Sequence, residues 1–495
     1  MKLDFLGHAS LVLRSGDVAL LFDPLLFGVH HEGLYDLYPP RRLHLDRLPS
    51  IDAVVITHAH RDHFDLESIA RLDRSTPIFA ADDPLLLGCL TGLGFEQVQP
   101  LANWAPITAG AATLTPTPPA DGAIEHGFIV QEDGVTLWHL VDTFPSAATI
   151  AEVKRRFGAV DLLIAPWQPL QDATFPSGNP VVFPYEMYRA ILANILQIAP
   201  RALIPGACGF RAIGPAAWTN HLIFPVTRAR FLHDVAVAAP QLAGRTHVME
   251  PGDALNLAPG VFAREQGLLD YCTAEAADYR WEQLQFRPYE LGHPVVEPRG
   301  DAFTREQCHA ALADFFAELA RAAEEDPEAY FWHRRWQVTR QYEVVFAGGD
   351  RAYWLLDLRG EAPQISEQRS PLALAHTVLP ASLLIGLIAG TISWEYAVLS
   401  GELRQHDHTY RVDDAGLHLP PRRLVDPLAR ALGGHDAEEH HLALCVERLT
   451  AELEDAPVMR TEQGSRAPAR DSAAVMGQIL TALADAGLDL NKHGE

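Results

Sequence analysis

Three histidines and one aspartate lie within six consecutive positions early in the chain, at His58, His60, Asp62 and His63. They follow residues 51–56, an apolar run typical of a buried strand, so we expect them where this strand opens into a loop. Neutral imidazole nitrogens and carboxylate oxygens are good ligands for zinc, iron and manganese. The alternate spacing of the first two histidines lets a strand end direct both at one ion, and the last two residues can turn toward a second ion. The pattern therefore predicts a centre of two adjacent metals.

This spacing is the HxHxDH signature, and the residues around it resemble the metallo-β-lactamase superfamily. Residues 7–10 followed by residues 22–24 resemble the opening hairpin of that family, and the resemblance implies that Asp23 supports the metal loop through hydrogen bonds. Residues 127–143 resemble the hairpin that ends in the family's bridging aspartate, for which Asp142 is the candidate. The fold that the resemblance implies is α/β, an αββα metallo-β-lactamase-like sandwich.

The third ligand of the first metal stays open between three residues. Hydrolytic members of the superfamily usually carry a histidine just before the strand that starts here at residue 127, but residues 119–126 read Pro-Ala-Asp-Gly-Ala-Ile-Glu-His. His126 is the preferred candidate, and Asp121 or Glu125 is the alternative. A carboxylate in this position would move the site toward hard oxygen donors, which suit oxidised iron.

The last ligand of the second metal is open as well. Hydrolytic members usually carry a histidine soon after an Ile-Pro pair such as residues 204–205, whereas residues 206–209 here read Gly-Ala-Cys-Gly. The next histidine is His221, which we take as the replacement. Cys208 is the alternative, although a buried cysteine among small residues is more often part of the packing.

Composition and charge narrow the class of protein. The 495 residues include 48% hydrophobic and 21% charged residues, as in an ordinary globular protein. A formal net charge of −25 argues against binding to nucleic acid or to an anionic membrane. The five cysteines have no CxxC spacing, and neither a signal peptide nor a membrane span is visible, so we expect a cytoplasmic protein.

The length predicts more than one domain. We expect a metal-binding catalytic domain over residues 1–258, an α+β domain that covers the active site over 259–459, and a linker with a short terminal helix over 460–495. The second region changes character, because amphipathic helices there alternate with a hairpin pattern. Its predicted elements are helices at 302–325, 380–401 and 437–454, strands at 341–346 and 352–358, and the terminal helix at 473–486.

A closer resemblance extends into this second region. The chain is similar to the metallo-β-lactamase-like portion of CMP-N-acetylneuraminate hydroxylases, without the Rieske domain of that family, because no Cys-x-His pair precedes His58. It is also similar to diiron hydroxylases of natural-product pathways on the same fold. The segments that carry the resemblance are 22–28, 127–131, 141–143, 205–210 and 392–401.

The resemblance implies a dinuclear iron oxygenase that hydroxylates a small molecule, with electrons from a ferredoxin or a flavin reductase. The competing hypothesis is a dinuclear zinc or manganese hydrolase, in which a metal-activated water attacks an ester, lactone, amide or phosphodiester. A third hypothesis is a metal-retaining scaffold without activity. A Pro-rich stretch supplies aromatic residues for an apolar substrate pocket, for which the candidates are Trp167, Phe175, Phe183 and Tyr185.

Overall fold

The structure is a computed structural model, and it describes residues 1–172, 181–275, 293–299, 305–360, 362–421 and 424–453. Its first part consists of short strands with helices between them. The strands are β1 (Lys2–Gly7), β2 (Ser10–Ser15), β3 (Val18–Phe22), β4 (Val29–His30), β5 (Tyr35–Leu37), β6 (Arg41–Leu43), β7 (Ala53–Ile56), β8 (Ile78–Ala80), β9 (Val98–Pro100), β10 (Ile107–Ala109), β11 (Ala112–Thr117), β12 (Gly127–Glu132), β13 (Val135–His139), β14 (Leu162–Pro166), β15 (Ala202–Gly206), β16 (Phe210–Ala212), β17 (Ala254–Ala258), β18 (Val261–Glu265) and β19 (Cys272–Ala274). The helices are α1 (Leu66–Ile69), α2 (Pro84–Gly92), α3 (Ala147–Phe157), α4 (Tyr185–Ile198), α5 (Asn220–Ile223) and α6 (Arg228–Ala238).

The second part contains a smaller sheet and the remaining helices. Its helices are α7 (Arg305–Glu325), α8 (Phe331–Arg335), α9 (Ala381–Ile388), α10 (Trp394–Leu399), α11 (Pro427–Leu432) and α12 (His435–Leu453). Its strands are β20 (Thr339–Val345), β21 (Arg351–Asp357), β22 (Gln364–Ser366), β23 (Ala375–Pro380), β24 (Arg404–Asp407), β25 (Arg411–Asp413) and β26 (Gly416–His418).

Two mixed sheets form the centre of the first part. One has eight strands in the order β18-β17-β1-β2-β3-β7-β8-β9, and the other has six in the order β10-β11-β12-β13-β14-β15. Apolar side chains from both sheets form a single buried cluster, in which the rings of Phe22 and Phe128 meet edge to face at 5.5 Å. The two sheets therefore pack face to face, as expected for strands whose inner faces are apolar.

Helices cover the outer face of each sheet. Leu66 of α1 and Leu86 of α2 pack with the apolar residues of the eight-stranded sheet, and Leu442 of α12 joins them from the far end of the chain. On the other side, α3, α4 and α6 cover the six-stranded sheet through residues such as Val153 and Phe231. This arrangement confirms the predicted α/β fold, an αββα sandwich followed by an α+β region.

The second part is organised around a five-stranded sheet. Its order is β22-β21-β20-β23-β24, with α7, α9, α10 and α11 contributing to one large apolar cluster on it. The predicted hairpin is confirmed, because β20 and β21 pair antiparallel from Thr339↔Asp357 to Val345↔Arg351. The predicted helix at 437–454 is also present as α12, and the predicted helix at 473–486 lies outside the described residues.

The predicted helix at 380–401 is two helices. Gly390 has φ of +68° after the end of α9, a backbone conformation that a helix interior does not contain. Ser393 then begins α10 by accepting a hydrogen bond from the backbone N–H of Tyr396 at 2.9 Å. Among the helices of the described residues, none combines the length and the apolar character that a membrane crossing would need.

Candidate metal centre

The ends of two buried strands bring the predicted metal residues together. All four residues of β7 are buried, and this strand pairs in parallel with β3 and β8, so the chain leaves the sheet at Thr57 in a fixed direction. All five residues of β13 are buried as well, and the chain leaves the other sheet just before Asp142. The two loops meet, because Nε2 of His63 lies 3.1 Å from Oδ2 of Asp142.

The first metal-type group consists of His58, His60 and Asp142, whose ligand atoms lie within 4.8 Å of one another. Oγ1 of Thr57 donates to Oδ2 of Asp23 at 2.8 Å and lies 3.0 Å from Nδ1 of His58. Since the hydroxyl proton is used by the carboxylate, the hydroxyl oxygen accepts from the ring, and the proton of His58 is on Nδ1. Nε2 of His58 therefore presents a lone pair, and it lies 2.9 Å from Nδ1 of His60.

The second metal-type group consists of His8, Asp62 and His63. Nδ1 of His63 lies 2.9 Å from Oδ2 of Asp23 and donates to that carboxylate, so Nε2, which faces Oδ2 of Asp142 at 3.1 Å, is the nitrogen that would bind a metal. Asp62 lies between the two histidines, with Oδ2 at 3.0 Å from Nε2 of His8 and 3.6 Å from Nε2 of His63.

Asp23 orients both groups from behind. Its Oδ1 accepts from the backbone N–H of Thr57 at 2.8 Å, and its Oδ2 accepts from Thr57 and His63. The side chain is fully buried. One carboxylate thus fixes the ring tautomer of His58 through Thr57 and that of His63 directly, which is the usual task of an outer partner of metal ligands.

The donor set fits metal ions. The lone pair on Nε2 of His58 lies 2.9 Å from Nδ1 of His60, so the two rings can share one metal ion, or an N–H···N hydrogen bond when no ion is bound. Carboxylates of Asp62 and Asp142 lie next to these nitrogens and supply negative charge. Imidazole with carboxylate is a ligand set for zinc, iron or manganese.

The charges at the centre influence one another strongly. Burial opposes the charge on Asp142 and Asp62, but the neighbouring His63 outweighs it and holds the pKa of both carboxyls below the usual range. Burial likewise opposes the charge on His63, yet Asp142, Asp62 and Asp23 raise its pKa well above the usual value. Burial and the two neighbouring histidines lower the pKa of His58, which keeps that ring neutral. The negative field that raises the pKa of His63 is the field that would attract a metal cation.

Backbone strain is concentrated at this centre. Positive φ angles are costly for residues other than glycine, and such strain is retained mostly where function requires it. Eleven described non-glycine residues have a positive φ, and seven of them surround the two metal-type groups. These seven are His8, Asp23, His31, Glu32, Val141, Ala207 and Cys208.

The three candidates for the third ligand have different surroundings. None of the three belongs to either metal-type group. Nδ1 of His126 lies 3.1 Å from Oδ1 of Asn103, and its Nε2 is buried without a hydrogen-bond partner among the described residues. Glu125 is half-buried; burial raises its pKa, and the charges of His60 and Asp142 act on it. Asp121 is exposed and accepts a hydrogen bond from the backbone N–H of Ala123. Of the three, Glu125 is the residue whose pKa is affected by the charges of His60 and Asp142.

The candidates for the last ligand belong to neither metal-type group. His221 is half-buried in α5 and is not a member of either metal-type group. Cys208 is buried, and burial together with Asp142 raises the pKa of its thiol, which keeps it protonated. The turn that contains Cys208 instead directs the backbone N–H of Gly209 at Nδ1 of His8, at 3.1 Å.

The aromatic candidates for the substrate pocket are distributed between core and surface. Trp167 is 2% exposed and packs with Phe231 in the core beside the six-stranded sheet. Phe183 is half-buried against Tyr188, and Tyr185 is 70% exposed. Phe175 lies outside the described residues.

Sequence reasoning missed several residues that line the centre. His8 was treated only as part of the opening hairpin, although a histidine beside a glycine at a hairpin turn is a signal that could have been used. Glu395 of α10 reaches the metal loop from the second part of the chain, with Oε1 at 3.4 Å from Nε2 of His31 and Oε2 at 3.6 Å from Nε of Arg61. No local pattern connects these positions, because they are more than 300 residues apart.

Comparisons with known proteins agree with this fold. Residues 19–203 match the family model described as a beta-lactamase superfamily domain, which confirms the resemblance seen in the sequence. A metal-dependent hydrolase of Pyrococcus furiosus is 28% identical over 178 residues, which cover 34% of this chain and 72% of that protein.

Hydroxylases are also among the relatives. The cytidine monophosphate-N-acetylneuraminic acid hydroxylase of Danio rerio is 32% identical over 89 residues, which cover 18% of this chain and 14% of that protein. Among solved structures, CmlA, a diiron β-hydroxylase from Streptomyces venezuelae, gives a TM-score of 0.32 at 18% identity, covering 42% of this chain and 45% of CmlA. The matched region thus spans less than half the length of each of these two hydroxylases.

Proposed function

We propose that this chain, whose residues 19–203 form a beta-lactamase superfamily domain, is a metal-dependent enzyme with a dinuclear iron centre that hydroxylates a small molecule with O₂. The first iron would be held by His58, His60 and Glu125. The second iron would be held by Asp62 and His63, and Asp142 would be shared by both.

The observation that carries this proposal is the surrounding of Glu125. Of the three candidates for the third ligand, it is the one on which the charges of His60 and Asp142 act. His126, the preferred candidate from the sequence, has its Nδ1 next to Asn103, and its buried Nε2 has no hydrogen-bond partner among the described residues, so it stays the alternative third ligand. A set of three histidines and three carboxylates is rich in hard oxygen donors, which favours oxidised iron over zinc.

Iron at this site would supply the activation of O₂, and each hydroxylation would need two electrons from an external donor such as a ferredoxin or a flavin reductase. The chain's own residues orient the ligands and shape the approach to them. Asp23 fixes the ring tautomers from the buried side. On the accessible side, His60 is exposed and Asp142 is 31% exposed, so a substrate would approach past these two residues.

Metal analysis after anaerobic loading tests the proposal. We expect about two irons per chain that give a dinuclear Mössbauer spectrum and oxidise when O₂ is admitted after dithionite reduction. Glu125→Ala should lose iron from the first site, whereas Asp121→Ala, a matched change of an exposed carboxylate nearby, should bind iron as the wild type does. Tight zinc with no response to O₂ would contradict the oxygenase.

A dinuclear hydrolase is the second candidate, because the hydrolase of Pyrococcus furiosus is matched over 72% of its length. In that case, zinc or manganese would activate water for attack on an ester, lactone, amide or phosphodiester. Zinc-loaded and manganese-loaded protein should then turn over a panel of these substrates without O₂. Glu125→His gives a further discrimination, because the added imidazole should move the metal preference from iron toward zinc.

A further inference from the structure

The two ring nitrogens of His8 have different partners, and the difference defines its role at the centre. We infer that His8 is a positioning residue and not a metal ligand: it donates its Nε2 proton to the carboxylate of Asp62, and the turn at residues 206–209 fixes it in this form. The inference rests on the dinuclear centre proposed above and deepens it, because it decides which side chains are left to hold the second metal.

The tautomer of His8 follows from the partner of Nδ1. The backbone N–H of Gly209 lies 3.1 Å from this nitrogen and donates to it. A backbone N–H can only donate, so Nδ1 must present its lone pair. The proton of the neutral ring is then on Nε2. A nitrogen that carries a proton has no lone pair for a metal, so Nε2 is a donor.

The carboxylate of Asp62 faces this donor. Nε2 of His8 is buried and lies 3.0 Å from Oδ2 of Asp62, at an angle too oblique for a well-formed hydrogen bond. Within the part of the chain that the structure describes, this N–H has no better acceptor. The last torsion of an aspartate is soft, so a small rotation of the carboxylate aligns the pair. A buried donor without an acceptor costs about 1–3 kcal/mol, which favours this alignment.

Backbone geometry holds His8 and its partner in place. His8 has φ of +52°, and Ala207 and Cys208 have φ of +57° and +55°. Each such residue costs about 1–2 kcal/mol relative to the right-handed conformation. Gly209 approaches so closely that a Cβ on it would lie 2.8 Å from both Cα and N of His8. Only glycine allows this contact, and the contact brings the N–H to the ring.

The inference gives the turn at residues 206–209 a role. In this chain the segment contributes no histidine, and it contributes a backbone N–H that sets the tautomer of His8. Asp62, His63 and Asp142 would then be left to hold the second metal. Its protein ligands are one imidazole and two carboxylates, a set even richer in oxygen than that of the first metal.

Two substitutions of His8 distinguish a hydrogen-bond donor from a metal ligand. In His8→Gln, the side-chain amide places an N–H near the position of Nε2, so the donor remains while the imidazole is lost. In His8→Asn, the shorter amide cannot reach Asp62, although asparagine tolerates the left-handed conformation. Asp62→Asn is the reference for loss of a ligand. His30→Gln is the matched control, because this buried histidine lies beside His8, with ring centroids 6.4 Å apart, and has its own partner in the carbonyl of Gly28.

Titration of metal-free protein with Co²⁺ provides the measurement, through the ligand-field bands and through competition with a chelator. We expect the wild type, His30→Gln and His8→Gln to bind two ions with the same bands. His8→Asn should keep the bands but bind the second ion about 10- to 100-fold more weakly, as is typical when an outer partner of a metal ligand is lost. Asp62→Asn should lose the second ion.

Each of the other outcomes contradicts either the role inferred for His8 or the dinuclear centre. If His8→Gln changes the bands and loses the second ion as Asp62→Asn does, His8 is a ligand and the inference is overturned while the dinuclear centre stands. If His8→Asn folds and binds the second ion as tightly as the wild type, Asp62 needs no support and the inference is again overturned. Wild-type protein that binds fewer than two ions overturns the dinuclear centre itself. Circular dichroism monitors folding, and if His8→Asn is unfolded, the bands of His8→Gln decide alone.

Discussion

Two buried polar clusters in this molecule differ in how their polar groups are partnered. In the second part of the chain, the carboxylate of Asp426 accepts hydrogen bonds from Tyr342 at 2.9 Å, Arg340 at 3.1 Å and Gln405 at 2.9 Å, and also from Thr377. At the metal centre, carboxylates and ring nitrogens face one another instead, as between His58 and His60. The carboxylate of the first cluster is surrounded by donors without any ligand, although Nε of Arg340 is buried without a partner among the described residues. The second cluster gathers carboxylates and ring nitrogens in two metal-type groups, a ligand set that suits a cation.

The difference separates a cluster in which donors surround one carboxylate from a cluster in which carboxylates and ring nitrogens gather in two metal-type groups. The cluster around Asp426 lies on ordinary strands, whereas the metal centre is surrounded by residues with positive φ. We therefore expect substitutions in the first cluster to change stability without changing metal content, and substitutions in the second to do the reverse. The predictions that follow test this separation, from the largest expected effect to the smallest.

His60→Ala should abolish metal binding at the first site and turnover with it, while the fold remains. His60 is exposed and contributes little to packing, so its loss removes a ligand without leaving a cavity. We expect metal affinity to fall by more than about 100-fold, since even outer partners of metal ligands are worth about 10- to 100-fold. Metal content by mass spectrometry and the thermal midpoint check both parts. His233→Ala, a change of an exposed histidine on α6, is the control, and a variant of His60 with full metal would contradict the assignment.

Asp426→Ala should destabilise the protein strongly and leave the metal in place. The change leaves Arg340 buried without its main partner, and removal of one partner from a buried ion pair typically costs about 3–5 kcal/mol. Urea unfolding measures the loss in free energy, and metal analysis of the folded variant measures the second expectation. Asp414→Ala removes an exposed aspartate of the same region and should stay within about 0.5 kcal/mol of the wild type. Loss of metal in Asp426→Ala would show that the two clusters are not independent.

Glu402 is a buried carboxyl with few hydrogen-bond donors around it, and its pKa is raised as a result. Burial raises its pKa from the ordinary 4.5 to about 7, with Arg299 acting against this shift and Glu297 adding to it. One of its oxygens is buried without a hydrogen-bond partner among the described residues. Between these two pH values, the folded protein holds a proton that the unfolded chain releases, so the free energy of unfolding falls as the pH rises.

Glu402→Gln should remove this pH dependence. From about pH 5 to about pH 8, the wild type should lose about 3 kcal/mol more stability than the variant, the equivalent of the shift in pKa. Urea unfolding of both proteins across this range gives the difference, in which all other titrating groups cancel. Parallel pH profiles for the two proteins would mean that Glu402 is ionised in the folded state.

The sequence predicted the layered fold and the metal loop, because both are encoded locally. The apolar run before Thr57 and the spacing from His58 to His63 are visible in a dozen residues. The sequence leaves the third ligand open, since Glu125 and His126 are adjacent and the direction of each depends on how the chain enters β12. Glu395 could not be placed at all, because tertiary packing alone brings it to a loop that is distant in sequence, whereas for His8 the only local signal was its position beside a glycine at a hairpin turn.

Asp23→Asn should have the smallest effect of the set, and it tests whether ring tautomers matter at the centre. Asparagine tolerates the φ of +40° at this position and keeps an oxygen for the backbone N–H of Thr57. Its amide N–H₂, however, faces the hydroxyl of Thr57 and Nδ1 of His63, where the carboxylate now accepts from both. His63 must then turn its proton to Nε2, the nitrogen that would bind the metal.

We expect Asp23→Asn to weaken the second metal by about 10- to 100-fold and to leave stability without metal almost unchanged. Chelator competition with Co²⁺ measures the affinity, and unfolding of the metal-free protein measures the stability. The reverse outcome, full affinity with a large loss of stability, would make Asp23 a structural residue like Asp426. The two clusters would then differ only in composition and not in function, because the buried side of the metal centre would be organised for folding and not for binding.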